Sequence, residues 1–530
     1  MADMKKTELL DSTLRDGAQS QGISLSVADK LKLVDMLDSL GVSYIEGGNP
    51  ASNPKDEAFF NAMLGRELKN SKLVAFGSTC RKDTSPNDDE HLAALINAGT
   101  DHVSIFGKSW DMHVTKILET SPEENIRMIR DTVKYLTERG KHVLFDAEHF
   151  FDGLKSDRAY ALETVKAAYG AGAELIVLCD TNGGAFPSEI YEGVNAAKEA
   201  LVGAKLGIHC HDDCGLAVAN TMAAVKAGAE HIQGTLIGIG ERCGNTNLTT
   251  VIGNLQLKAG YDLLPEESIG RLTDAAHYAA EVCNIKLPDT MPYVGGHAFS
   301  HKGGMHADGV IKYRGSFEHI DPEKVGNRRS LVLSELAGRN ALLEKLRVLG
   351  VTLEKSSAQT AKVIDRIKAL ESRGYVFEGA QASFELTVLK ELERFRPFFS
   401  IVDYRIIGSQ TKGINAPANA MIKVRVGNRY EITADEGQGP VNAIDRALRK
   451  ALELFYPIVS EMSLVDYKVR VIDTGASTAA ITRVLIESTD GKETWNTVGA
   501  SEDIISASMT ALADSIEYML YRKKVYNYMG

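Results

Sequence analysis

The chain has 530 residues, of which 44% are hydrophobic and 25% charged, close to the average for globular proteins. This composition excludes collagen-like, intrinsically disordered and disulfide-scaffold proteins. Acidic residues outnumber basic ones by 71 to 60, which gives a formal net charge of −11. Because nonspecific binding to nucleic acid or to membranes needs clustered cations, we expect neither as a partner.

The cysteine content and the amino terminus indicate a compartment. Only six residues of 530 are cysteine. The first residues lead directly into a strand-like run without an apolar signal region, and no uncharged apolar stretch approaches the length of a transmembrane helix. We therefore expect a cytoplasmic protein with free thiols, since disulfides are rare in a reducing cytosol.

Short apolar runs alternate with amphipathic segments throughout the first half of the chain. The predicted strands are Glu8–Asp11, Tyr44–Glu46, Leu73–Phe76, His102–Phe106, His142–Phe145, Glu174–Cys179, Leu206–His209 and His231–Ile237. Predicted helices lie between them, and four of these end in a glycine shortly before the next strand, as αβ connections commonly do. Eight strand–helix units in about 250 residues predict a (β/α)8 TIM barrel, with a doubly wound open sheet as the alternative.

The remainder of the chain has a different pattern. Helical patterns dominate residues 266–400, whereas residues 401–530 mix alternating strand-like runs with helical patterns at 440–455 and 501–521. We therefore predict three domains, which are a catalytic barrel at 1–265, helical linker or lid subdomains at 266–400 and an α+β domain at 401–530.

Polar side chains follow the predicted barrel strands at their carboxyl ends. Active sites of TIM barrels lie at that end. The residues at successive strand ends are Arg15, Asp16, Glu46, Ser78, Thr79, Phe106, Glu148, Asp180, Thr181, His209, His211 and Asn245. Any one of them alone is more often a surface residue, but together they predict an active site.

The segment from His209 to Asp213 (His-Cys-His-Asp-Asp) is the sharpest local pattern. Alternate residues of a strand share a face, so both imidazoles point the same way while Cys210 points to the other face. Two imidazoles at a barrel mouth are suited to a divalent metal, with Asp16 as the natural carboxylate ligand. The alternative is a pair of strand-end histidines bonded to the backbone. Asn245 is suited either to cap the next helix or to add an oxygen ligand.

Several motifs carry a resemblance to a known family. They are Asp11–Gln19 (DSTLRDGAQ), His209–Asp213 (HCHDD) and Gly238–Asn245 (GIGERCGN). Together they resemble the isopropylmalate, homocitrate and citramalate synthases, which are barrel enzymes related to the hydroxymethylglutaryl-CoA lyases. Four further stretches are similar to the long citramalate synthases of that family, namely Ile105–Trp110, Phe145–Gly153, Ala298–His306 and His319–Arg329.

The resemblance implies a role for each matching position. A divalent metal (Mg, Mn or Zn) would be held by Asp16, His209, His211 and Asn245. Arg15 and Thr181 match the positions that bind a 2-oxo acid carboxylate, Glu148 lies near the reacting carbons, and His306 takes part in proton transfer. The chain departs from the family at Phe317, where a tyrosine is common, and Tyr313 replaces that phenol only if its loop places it suitably.

The implied activity is a Claisen-type condensation of acetyl-CoA with pyruvate and water, which feeds isoleucine biosynthesis. Phe106 and Asp146 are expected to line the substrate pocket, where Phe106 would favour the methyl group of pyruvate. Within the family, the alternative is an isopropylmalate synthase, which would need room for an isopropyl group. From other classes, the alternatives are a carbon–carbon lyase and an inactive amino-acid sensor.

The tail after residue 401 resembles the dimerising, amino-acid-sensing domain of the family. It implies a homodimer and feedback inhibition by an amino acid such as isoleucine, while the alternative is a domain that only holds the dimer together. Ser477, Thr478, Gly499 and Ser501 are the candidate effector-binding residues. We expect residues 498–502 to open a helix, whose free N–H groups favour an anion.

Overall fold

A computed structural model describes residues 5–301, 304–331, 343, 346–347, 353–354, 357–377, 379–408, 417–472 and 480–525. The chain divides into two compact units. The first consists of Met1–Phe299 with Ile320–Arg329, and the second consists of Ser300–His319 with Ser330–Gly530. None of the helices in the described ranges combines the length and apolar character needed to cross a bilayer.

Eight parallel strands close a barrel in the first unit, which confirms the predicted TIM barrel. The strands are β1 (Glu8–Asp11), β2 (Tyr44–Gly48), β3 (Lys72–Ser78), β4 (His102–Lys108), β5 (His142–Glu148), β6 (Leu175–Asp180), β7 (Lys205–Cys210) and β8 (His231–Gly234). Each strand pairs with the next in chain order, and β8 returns to β1 with Glu8 opposite His231. This closure excludes the doubly wound open sheet.

Helices of the first unit follow the strands. They are α1 (Val27–Leu40), α2 (Pro54–Met63), α3 (Glu90–Asn97), α4 (Pro122–Thr137), α5 (Phe150–Ser156), α6 (Arg158–Gly170), α7 (Pro187–Ala200), α8 (Ala217–Ala227), α9 (Leu248–Asn254), α10 (Glu266–Ile269) and α11 (Leu272–Val282). Their ends follow local signals. Ser26 and Asp29 form a capping box at the start of α1, and Gly41 ends that helix in the left-handed conformation.

Alternation along the strands separates two cores. A small core contains Leu10, Tyr44, Val74, Leu144, Leu175, Val177 and Cys179. Their strand neighbours, such as Leu9 and Ala75, belong to the larger core that also contains the apolar faces of the helices. Strands covered on both faces explain the near-continuous apolar runs in the sequence.

The second unit has the predicted α+β character. It contains α12 (Gly304–Lys312), α13 (Ala358–Glu371), α14 (Gln381–Glu391), β9 (Ser400–Ile407), β10 (Ala418–Val426), β11 (Arg429–Gly437), α15 (Pro440–Glu453), β12 (Ser463–Val471), β13 (Thr482–Thr489), β14 (Thr494–Ser501) and α16 (Ile504–Arg522). The strands form two antiparallel three-stranded sheets, β9-β10-β11 and β12-β13-β14. The sequence interpretation did not include β11, β13 and β14, because exposed and polar residues interrupt their apolar alternation.

Candidate active site

Asp16, His209 and His211 converge at the carboxyl end of the barrel. His209 lies near the end of β7 and His211 directly after it, while Asp16 begins the turn that follows β1. The two Nε2 atoms lie 3.4 Å apart, and Asp16 Oδ2 lies 3.8 Å from that of His209 and 3.9 Å from that of His211. Cys210, between the histidines, is buried in the larger core, on the other face of the strand. The alternation predicted along this strand end is therefore present in the structure.

These three side chains fit a divalent cation. Ligands about 2.1 Å from an ion lie roughly 3 to 3.5 Å from one another, close to the observed spacings. Burial lowers the pKa of both imidazoles, and that of His211 falls to about 4, so both rings are neutral near pH 7. Burial opposes ionisation of Asp16, but the charge of Arg15 and the smaller effects of the other neighbouring groups together outweigh it and hold the pKa of this carboxyl well below its usual range. Neutral imidazoles and an ionised carboxylate are the forms that bind metal.

Asn245 lies beside the group of Asp16, His209 and His211. Its Nδ2 donates a hydrogen bond of 2.8 Å to Asp16 Oδ1. Its Oδ1 is buried and has no hydrogen-bond partner among the described residues. A buried, unpaired carbonyl oxygen is costly unless something accepts its lone pairs, and a cation would do so. Asn245 thus fits the position of an oxygen ligand better than that of a helix cap, since Asn247 caps α9.

Arg15 is held rigidly beside the metal group. Its Nε donates to Glu46 Oε2 at 2.7 Å, and its Nη1 donates to Asp16 Oδ2 at 3.0 Å. Its guanidinium carbon also lies 3.9 Å above the ring of Phe76. Nη2 has no hydrogen-bond partner within the described part of the chain. The free edge of the guanidinium is therefore available to an anionic substrate group.

A cavity of about 230 Å³ opens beside these groups. It is lined by Arg15, Asp16, Gln19, Phe76, Phe106, Asp146, Glu148, Cys179, Thr181, His209, His211 and Glu241. The structure thus brings together eight of the predicted site residues from five different strand ends. A second cavity of about 590 Å³ shares Arg15, Gln19 and Phe76 with the first.

Glu148 and Thr181, which also line the cavity, have hydrogen-bond or ion-pair partners. Glu148 forms an ion pair with Lys108. The hydroxyl of Thr181 accepts a hydrogen bond of 2.8 Å from the backbone N–H of His149. His149 itself has a φ of 59°, a left-handed conformation that is uncommon for residues other than glycine and is often found near functional sites.

Asp146 is buried between strands. It accepts a hydrogen bond of 2.7 Å from Ser104 Oγ and one of 3.1 Å from Gln233 Nε2. Burial, and after it the charge of Glu46, raises the pKa of Asp146 to about 7. Gln233 also contacts His209, which places Asp146 two hydrogen bonds away from a candidate metal ligand.

His306 belongs to the second unit, and the residues that line the 230 Å³ cavity all belong to the first. It is exposed, and its ring stacks on Phe317 with 4.1 Å between ring centroids. Tyr313 is 73% exposed. Replacement of the missing phenol at position 317 by Tyr313 therefore stays a prediction.

The candidate effector residues are placed only in part. Ser477 and Thr478 lie outside the described residues. The expectation that residues 498–502 open a helix is wrong, because Gly499 and Ser501 lie on β14 and α16 begins at Ile504. Asp503 caps that helix and already occupies the N–H groups of Ile505 and Ser506. Gly499 packs so closely against α16 that a Cβ there would lie 2.0 Å from the carbonyl oxygen of Ala507.

Several pocket residues were missed by the sequence interpretation. Gln19, Phe76, Cys179 and Glu241 line the cavity, and Lys108 and Gln233 contact its lining residues. One signal was available for Gln233, which is a polar residue on a short, fully buried strand. The others depend on loop paths and on which strand ends become neighbours.

Comparisons with known proteins cover almost the whole chain. Residues 6–293 match the HMGL-like family, 293–375 match the homocitrate synthase post-HMGL domain-like family, and 378–520 match the LeuA allosteric (dimerisation) domain. An (R)-citramalate synthase of Aquifex aeolicus is 49% identical over 98% of this chain and 98% of its own. The chain belongs to the citramalate synthase family.

Other relatives support this membership at decreasing identity. An (R)-citramalate synthase of Geobacter sulfurreducens is 45% identical over 98% of this chain and 99% of its own. A probable 2-isopropylmalate synthase of Methanopyrus kandleri is 32% identical over 98% of this chain and 99% of its own. The citramalate synthases are thus more similar to this chain than this isopropylmalate synthase is, and the resemblance found in the sequence motifs is confirmed.

Proposed function

We propose that this chain is an acyltransferase that condenses acetyl-CoA with pyruvate and water to give (R)-citramalate and CoA. The observation that carries the proposal is the 49% identity to an (R)-citramalate synthase across 98% of both chains. The buried group of Asp16, His209 and His211 at the barrel mouth supports it, because this chemistry requires a polarised ketone. The proposal places the enzyme in isoleucine biosynthesis and in the cytoplasm, where the six free thiols would remain reduced.

A divalent ion would be held by Asp16, His209, His211 and Asn245. When bound, it acts as a Lewis acid that polarises the ketone oxygen of the 2-oxo acid. Two imidazole nitrogens with carboxylate and amide oxygens form a mixed donor set, which suits Zn²⁺ or Mn²⁺ and is less typical of Mg²⁺. We propose that the free Nη2 of Arg15 and the hydroxyl of Thr181 bind the substrate carboxylate and so fix its orientation.

The aromatic lining of the pocket supports pyruvate over larger 2-oxo acids as the substrate. Phe106 stacks on Phe76 with 5.4 Å between ring centroids, and both rings line the cavity. We propose that this aromatic wall limits the room for an isopropyl group on the substrate. Asp146 in the same lining disfavours a second carboxylate on the substrate, which argues against a homocitrate-type reaction. The adjoining cavity of about 590 Å³ offers room for part of acetyl-CoA.

The carbon–carbon bond forms after a proton leaves the methyl group of acetyl-CoA. We assign the base to His306, assisted by Glu148, because a neutral imidazole is suited to this step near pH 7. The resulting enolate carbon attacks the ketone carbon of pyruvate, and the ketone oxygen takes up one proton in place of the one removed. Water then cleaves the thioester to release CoA. The ring that stacks on His306 belongs to Phe317, and because this residue is phenylalanine, it offers no phenol as a proton donor.

The carboxyl-terminal part is proposed to hold a homodimer and to bind an inhibitory amino acid such as isoleucine. Support comes from the match of residues 378–520 to the LeuA allosteric (dimerisation) domain. Ser477, Thr478, Gly499 and Ser501 remain the candidate effector residues. Because Asp503 already caps α16, an effector carboxylate would have to use other donors of this region.

The substrate is tested by following the release of free thiol from acetyl-CoA with a panel of 2-oxo acids. We expect kcat/KM with pyruvate to exceed that with 2-oxoisovalerate by 10-fold or more, since methylene-sized differences are worth about 1–3 kcal/mol in such pockets. Phe106→Ala should narrow this difference. A preference of the native protein for 2-oxoisovalerate would identify an isopropylmalate synthase, and cleavage of hydroxymethylglutaryl-CoA without thiol release from acetyl-CoA would identify a lyase.

The assignment of the base is tested with His306→Ala. We expect kcat to fall by about 10²- to 10⁴-fold, the usual contribution of a general base, while the affinities for metal and pyruvate are retained. Single-turnover kinetics and pyruvate titration by calorimetry measure the two quantities. Loss of pyruvate affinity with turnover retained at saturation would contradict the assignment.

A further inference from the structure

Gln233 is a fully buried polar side chain inside the barrel that no step of the proposed reaction uses. It lies on β8 in register with His209 of β7, so both side chains lie on the same face. Its Oε1 lies 3.0 Å from Nδ1 of His209, and its Nε2 lies 3.1 Å from Oδ1 of Asp146 on β5. Ser104 of β4 donates to the other oxygen of Asp146. One chain of hydrogen bonds therefore joins four strands of the barrel.

The direction of each hydrogen bond in this series follows from the carboxyl group of Asp146. At pH 8, above its pKa of about 7, Asp146 is mostly ionised and only accepts hydrogen bonds, so the group of Gln233 that faces it is the NH₂. The amide oxygen of Gln233 then faces His209, whose Nδ1 must carry the proton. The opposite orientation of the amide would place two oxygens against each other in a buried site, which is unfavourable.

The position of this proton affects the candidate metal ligands Asp16, His209 and His211. With its proton on Nδ1, His209 presents the lone pair of Nε2 toward Asp16 Oδ2 and His211 Nε2. His211 differs, because its Nδ1 is buried without a hydrogen-bond partner among the described residues. Of the two imidazoles, the geometry therefore fixes the tautomer of His209 alone.

We infer that Gln233 and Asp146 are positioning residues that hold His209 in the tautomer able to bind metal. This inference rests on the proposed metal role of His209 but not on the identity of the substrate. Residues that hydrogen-bond to a metal-binding histidine typically change metal affinity 10- to 100-fold when they are replaced. Asp146 thus has a role beyond lining the substrate cavity.

The first test is a double-mutant cycle on the full-length, metal-stripped protein at pH 8. Mn²⁺ affinity is measured by isothermal titration calorimetry for the wild type, Gln233→Leu, Asp146→Leu and the double variant. We expect about 10- to 100-fold weaker binding in each single variant. The double variant should bind no more weakly than Gln233→Leu, because Asp146 acts through Gln233. Additive losses would mean two independent effects and would overturn the inference.

The second test exchanges the two polar groups. In the double variant Gln233→Glu with Asp146→Asn, the new amide donates to the new carboxylate, which still accepts from Nδ1 of His209. The net charge is kept, only the hydrogen bond between positions 233 and 146 reverses its direction, and Nδ1 of His209 still donates. We expect Mn²⁺ affinity within about threefold of the wild type, whereas the single variant Gln233→Glu places two carboxyl groups together and should bind more weakly. Failure of the exchange to restore Mn²⁺ affinity would contradict the proposed role of these hydrogen bonds.

Thr164→Val is the matched control, since Thr164 is equally buried in the first unit and bonds to Ser109 away from the cavity. It should leave Mn²⁺ affinity unchanged. Thermal unfolding in EDTA verifies that each variant folds, and Gln233→Met replaces the leucine variant if that one does not. Wild-type Mn²⁺ affinity in a folded Gln233 variant lacking both amide groups would overturn the inference, whatever the substrate panel shows.

Discussion

Histidines lie at both ends of the barrel, but their surroundings differ. At the carboxyl end, His209 and His211 point their Nε2 atoms toward each other and toward Asp16. At the amino end, His102 and His231 pack edge-on against the ring of Tyr44, with centroid distances of 5.6 and 5.4 Å. One end thus presents ligand atoms to a cavity, and the other packs imidazoles as flat, partly apolar rings.

The difference follows from what each end of a strand is connected to. The carboxyl ends continue into the loops that carry Asp16 and Asn245, so the carboxylate of Asp16 lies beside the histidines and the amide of Asn245 lies beside Asp16. At the amino end, Glu8 pairs with Lys205, and its Oε2 lies 3.8 Å from Nδ1 of His231. Within the described residues, Asp16, His209 and His211 are the only group of three side chains arranged to hold a metal ion. Residue type alone therefore does not make a metal site.

The largest expected effect separates the two ends by metal affinity. His209→Ala removes one of three converging ligand atoms, and we expect Mn²⁺ binding to become undetectable by calorimetric titration of the metal-stripped protein. His231→Gln, at the opposite end, should leave Mn²⁺ affinity unchanged, since His231 contacts Tyr44 and Glu8, neither of which lines the cavity. Unchanged binding in the His209 variant would refute the metal site, and loss of binding in the His231 variant would show that the two ends are coupled.

A smaller effect concerns acid stability at the amino end. Burial, and after it the charge of Lys72, lowers the pKa of His102 to about 4, and its ring stacks on that of His142 at 4.7 Å. The unfolded chain, with an ordinary histidine pKa near 6.5, binds this proton more readily than the folded protein does. Stability from His102 is therefore present above pH 6.5 and is lost as the pH falls from about 6.5 toward 4.

This loss is measured as the change in unfolding free energy, or in thermal midpoint, between pH 7.5 and pH 4.5. His102→Gln should reduce the change by on the order of 2 kcal/mol, with the full pKa difference discounted for the ring's contact with solvent. His142→Ala is the control, because His142 is exposed and its pairing with Glu174 should contribute less than about 1 kcal/mol. An equal effect of both variants would contradict the role assigned to burial.

Much of the barrel could be predicted from the sequence. The bounds of β1 agree with the predicted segment Glu8–Asp11, because buried parallel strands carry strong local signals. The predicted last barrel strand, His231–Ile237, was too long. The strand ends at Gly234, and Thr235 instead forms an isolated bridge with Asn247. In the second unit, β11 was missed because its residues are mostly exposed.

The sequence by itself determined the fold class, the family and the residue types available at the barrel mouth, since each of these depends on local periodicity and short motifs. The tertiary structure alone decided which atoms meet. It placed Gln233 of β8 between His209 and Asp146, and it paired Glu148 with Lys108. These contacts depend on strand register and on closure of the barrel, which bring together residues that are distant along the chain and leave no local pattern in the sequence.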